Sequence, residues 1–191
     1  MTTKCCEHQG AAENSLISEY SQDNELWNTG FTALTTLAGI SAIGLQLFLC
    51  TSYSGIKTKK ILQTTQITGA SFGVVALVAS KFFYPKHYPS KEESTCKICK
   101  QLTPLINQKI DCRRKNHTGL LTQGLIHLVG SKIIFENSSH FSSNLIKVSA
   151  VIALFITGFL SYCYLATNPN REKELDSITE KKIKDLTSTS S

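Results

Sequence analysis

The sequence predicts an all-α membrane protein: two transmembrane helical hairpins, four spans in all with the third open to two readings, joined by polar cytosolic segments. Three observations lead there. Only 18% of the 191 residues are charged, and the charge is missing from a few long stretches. Those stretches reach the roughly 20 residues that a helix needs to cross the hydrocarbon core. Lys and Arg gather on one side of the resulting topology, as the positive-inside rule requires.

Residues 1–25 form a polar N-terminal segment, expected to be disordered. It has no basic stretch followed by an apolar one, so no cleavable secretory signal is expected. Thr2 stands where myristoylation needs Gly. Residues 26–84 are the first hairpin. Leu26 to Ile56 is 31 residues without Asp, Glu, Lys or Arg, with its apolar heart at Phe31 to Leu49. Ile61 to Ser80 is the second charge-free run, and Phe82, Phe83 and Tyr84 follow as an interfacial anchor beside Lys81. A soluble helix of this length shows a polar face at 3.6-residue spacing. Here only Thr, Ser, Gly and an occasional Gln interrupt the apolar residues.

Residues 85–118 are read as a basic cytosolic loop. Residues 119–168 are the second hairpin, whose last span is the clearest: Val148 to Asn170 carries no charge. Its partner, Gly119 to Phe135, holds Gln123, His127 and Lys132. That segment is either an interfacial amphipathic helix or a polar third span. Charge favours the span. With four spans and both termini cytosolic, one side holds Lys4, eight basic residues between Lys86 and Lys115, and five in the tail from Arg171. The other side holds Lys57, Lys59 and Lys60, with Lys81, Lys132 and Lys147 left aside at or within helix ends. Three spans erase most of that bias. Residues 169–191 are a polar tail suited to a solvated helix, with a thin apolar stripe of Leu175, Ile178, Ile183 and Leu186.

No catalytic reading stands out. Paired carboxylates, nucleophile elbows, phosphate-binding loops and zinc-protease motifs are absent, and no span holds Asp or Glu. The expectation is a non-enzyme. A small channel or transporter is the alternative, and it would have to run through Gln46, Gln66, Gln123, His127 and Lys132. His127 reads more readily as a hydrogen-bonded packing residue than as a ligand. Gly69 and Gly73 form a G-x-x-x-G, which serves helix packing in hairpins and equally in homo-oligomers.

The seven cysteines contain one spacing of interest. Cys96, Cys99, Cys112 and His117 follow C-x2-C-x12-C-x4-H, that of a four-ligand zinc site. Thr103 and Lys109 stand where a zinc finger places its apolar core residues, and Pro104 interrupts the loop. The plain alternative is a basic loop with reduced cysteines. Lys109, Arg113, Arg114 and Lys115 are expected to meet anionic headgroups of the bilayer. Tyr88 is the lone aromatic interleaved in this basic stretch, so nucleic acid is not expected as a partner.

The layout resembles the inclusion membrane proteins that chlamydiae export into the vacuole around them. Residues 1–25 match the polar export segment of that family, read by a type III apparatus. Phe31 to Tyr84 match its bilobed hydrophobic hairpin, with the loop at Ser54 to Lys60. The resemblance is architectural, covers about half the chain and carries no residue motif. It implies a secreted effector in the inclusion membrane, with both ends in the host cytosol, that binds host proteins and performs no chemistry.

Overall fold

A computed structural model of the chain describes residues 12–51, 55–82, 97–166 and 169–188. Among them there is no strand. Five helices make up the fold: α1 (Ala12–Thr51), α2 (Ile56–Phe82), α3 (Lys97–Glu136), α4 (Asn144–Leu165) and α5 (Pro169–Ser188). A short 3-10 turn, Ser138–His140, joins α3 to α4. Among the described residues four stretches are long and apolar enough to cross a membrane: Thr29–Thr51, Ile56–Ser80, Asn107–Glu136 and Asn144–Leu165. The ambiguous segment 119–135 therefore lies inside one of them, as the C-terminal half of α3.

The ends of the helices follow local chemistry. Ser143 is extended and caps α4, its hydroxyl accepting from the Ile146 N–H at 3.3 Å. Pro169 opens α5 at the first helical position, where its missing N–H costs nothing. The loop expected over 85–118 is helical from Lys97 onward. That stretch is free of Gly, and Pro104 sits only in the second turn of α3, where it removes one bond to Lys100. Helix also begins at Ala12, within the stretch expected to be disordered.

The registers define the bundle. Phe31 meets Phe72 with ring centroids 6.0 Å apart, and Ala38 meets Gly69, so α1 and α2 are antiparallel. Gln66 meets Ser131, and Gly69 meets Leu128, so α2 and α3 are antiparallel. His127 meets Phe155 and Gly130 meets Leu154, so α3 and α4 are antiparallel too. Thr36 reaches Leu120 and Gly39 reaches Gly124, which makes α1 and α3 parallel neighbours. α3 is the hub, packed against the other four helices.

The outer surface of the spans is unlike that of a water-soluble protein. Large apolar side chains face outward along the spans, among them Leu37 at 62% exposure, Ile67 at 61% and Leu160 at 59%. The interior mixes apolar residues with polar ones, and Thr32, Thr35, Gln46, Gln66, Gln123, His127 and Ser131 are all buried. Buried apolar residues gather in two small clusters, Ala42 with Leu62 and Leu128, and Ile43 with Ile134 and Val151, with others such as Ala76 and Leu121 buried apart from them. Lipid solvates the outer apolar surface, and polar groups find partners only inside. Together with the four spans, this is the pattern of an integral membrane protein.

Candidate functional site

Two regions hold the polar chemistry of the described chain: a buried seam within the bundle, and the helical projections at one of its ends.

The seam centres on His127. Its ring stacks on Phe155, with centroids 5.6 Å apart and planes 14° from parallel. Nε2 lies 3.3 Å from the Phe155 carbonyl oxygen, which can only accept, so Nε2–H is the donor and Nδ1 keeps the lone pair. Nδ1 is buried with no partner among the described residues, and so are Thr32 Oγ1 and Gln46 Oε1. Three glycines let the helices approach here, Gly158 against the ring itself and Gly39 and Gly124 between α1 and α3. A Cβ on Gly158 would collide with the imidazole, and one on Gly39 would lie 3.1 Å from His127 Cβ and 2.8 Å from the Gly124 oxygen. One on Gly124 would lie 2.9 Å from the backbone of Thr35. About one helix turn further along α3, Gln66 Nε2 donates to Ser131 Oγ at 2.9 Å, a buried interhelical bond. On the lipid face, hydroxyls return to their own helix: Thr157 donates to the Ala153 carbonyl and Ser161 to that of Thr157.

His127 and Lys132 do not share a path. His127 is enclosed, whereas Lys132 is half exposed and faces Glu136 at 3.8 Å. Five residues on a helix turn by about 140°, which separates their faces. Gly69 faces Ala38 and Leu128, and Gly73 faces Thr35 and Leu125, so both glycines touch α1 and α3 of the same chain. Gly39, Gly124 and Gly158 went unnoticed in the sequence. They lie on three different helices, and no local spacing joins them.

At the other region, Thr29 Oγ1 lies 3.3 Å from His117 Nε2, at the start of the first span. Gly119 packs against Ala166 and Tyr162 at the same level. Beyond it, α5 folds back on α3. Lys109 pairs with Asp176, and Leu175 is buried at 2% exposure. Lys109 is thus mostly covered by protein. Arg114 pairs with Asp111 on its own helix at 2.7 Å, Arg113 is partly buried, and Lys115 is exposed. Cys112 is buried and His117 half buried on α3, while Cys96 and the Cys99 side chain lie outside the described residues. No group of three potential metal donors occurs among the described residues. Thirteen residues of continuous helix put about 20 Å of rise between positions 99 and 112. An ion shared by all four zinc candidates requires another path for this segment.

No family model, curated protein or solved structure matches the chain.

Proposed function

We propose that the chain is a non-enzymatic multi-pass membrane protein. Its four spans form two hairpins and place both termini in the cytosol, where polar helices recruit protein partners and touch anionic lipid. One observation carries this reading: the two ends of the bundle are built differently. The N-terminal turns of α1 and α3 and the whole of α5 project from one end. A 40-residue helix such as α3 is about 60 Å long, roughly twice the hydrocarbon thickness. The opposite end has only short connections, at residues 52–55 and 137–143. The projecting end also carries most of the Lys and Arg, which favours the cytosolic side. On the architectural resemblance alone, the membrane is that of a pathogen vacuole and the partners are host proteins. The channel reading draws less support, because the buried seam is closed by direct helix contact around His127.

Impermeant maleimide labelling tests the topology. Single-cysteine chains are made in a cysteine-free background at the exposed positions Lys115, His140 and Lys181. In sealed vesicles of known sidedness, 115 and 181 should label from the cytosolic face and 140 should not. Labelling of 140 together with 115 would end the two-hairpin reading. Recruitment is tested by proximity labelling from the C-terminus. A neighbour set unchanged after Leu175→Asp and Lys109→Glu, which undock α5, would refute it.

A further inference from the structure

The end of the bundle with short connections carries a charge pattern that neither the packing nor the recruitment reading uses. Lys57, Lys59 and Lys60 are all exposed in the first turns of α2. Lys147 stands in the first turn of α4, close to Cys50 at the end of α1. Glu136 is the single carboxylate between residues 128 and 150, and none occurs between 44 and 66. That carboxylate faces Lys132. The remaining four lysines thus lie at one end of the bundle, three on α2 and one on α4, with no other carboxylate in those stretches.

Their placement runs against helix preference. The N-terminus of a helix is its positive pole and favours Asp or Glu. The first turns of α2 and α4 contain no acidic residue. Lysines there oppose the helix dipoles, so an external anion would relieve both charges at once.

The neighbours of the lysines identify the kind of anion. Ile56 and Leu145 are each 76% exposed, and Ile61 and Ile146 are also exposed, all in the same turns as the lysines. A soluble polyanion has no use for such apolar side chains. An amphiphile does, because its acyl region covers them while its headgroup meets the ammonium groups. We propose that this end is a binding surface for anionic lipid in the leaflet it borders. The surface consists of Lys57, Lys59, Lys60 and Lys147 above a rim of Ile56 and Leu145. The inference rests on membrane insertion and not on which end is cytosolic.

The test uses the full chain reconstituted into vesicles of phosphatidylcholine with phosphatidylglycerol at about 4 to 1. It is then excised with its surrounding lipid into polymer-bounded discs, and the phospholipids are quantified. Wild type should hold phosphatidylglycerol about threefold above its bulk fraction, an excess suppressed by high salt. The K57Q/K59Q/K60Q chain should fall close to the bulk fraction. The K57R/K59R/K60R chain and a tail variant, K181Q/K182Q/K184Q, should keep the enrichment. No enrichment in wild type, enrichment that survives the glutamines, or equal loss in the tail variant would each overturn the proposal. If the triple glutamine chain does not insert, K57Q and K60Q singly should each lower the enrichment, and no change in either overturns the proposal. Resistance of every chain to carbonate extraction checks insertion separately, so failure of the membrane reading is distinguishable from failure of the lipid surface.

Discussion

Alanine at Gly124 tests the close approach on which the bundle depends. Its Cβ would lie 2.9 Å from the Thr35 carbonyl carbon and oxygen and 3.0 Å from Thr36 Cα. Ordinary van der Waals contact begins at 3.4 Å, so α1 and α3 must separate by about 0.5 Å. All three obstacles are backbone, and no rotamer change relieves them. The separation also stretches the bond from Thr36 Oγ1 to the Leu120 carbonyl, now 3.1 Å. Overpacking of this kind costs about 1–3 kcal/mol. Alanine returns up to about 1 kcal/mol of helix propensity. The net expectation is a loss of up to about 2 kcal/mol, and of about 1–3 kcal/mol relative to an alanine that gains the same propensity without the clash. Gly44 supplies the control, since it is exposed on α1 and a Cβ there meets nothing within 4 Å. Gly44→Ala should be neutral or slightly stabilising. Reversible unfolding in mixed micelles, followed by circular dichroism at increasing denaturing-detergent fraction, reads the difference. If Gly124→Ala unfolds at the same detergent fraction as Gly44→Ala, the helices are not held by glycine contact and the packing argument fails.

Three further outcomes follow from the same contacts. Gln66→Leu should cost about 0.5–1.5 kcal/mol, and a double-mutant cycle with Ser131→Ala should return most of that as coupling. His127→Ala removes a stacked, fully buried ring and should cost about 2–4 kcal/mol in the same assay, with Phe155→Ala non-additive to it. Leu175→Ala should free α5 from α3 and raise amide exchange over residues 170–185 at least tenfold, with the spans unchanged.

Three of the spans were legible in the sequence, because hydrocarbon excludes charge and a charge-free run of 20 or more residues is a local property. Leu26 to Ile56 and Val148 to Asn170 announced α1 and α4 on that ground alone. Gly119 to Phe135 was harder. Gln123, His127 and Lys132 lower its apolar character, and only its position at the hub explains them: Gln123 and His127 are covered by neighbouring helices, and Lys132 turns outward to Glu136. The helical state of residues 97–118 was also hidden, since the docking of α5 through Lys109 and Leu175 comes from 60 residues away.

What the tertiary structure decided is which face of each span turns inward. A helix in water declares its buried face by hydrophobicity. In lipid both faces are apolar, and the inner face is chosen by shape and by hydrogen-bond partners. Gly39, Gly124 and Gly158 sit on separate helices, and nothing near them in the chain marks them as a set. They become one site only when α1, α3 and α4 close around His127: a Cβ on Gly158 would strike the ring, and Cβ atoms on Gly39 and Gly124 would strike the backbone of the facing helix.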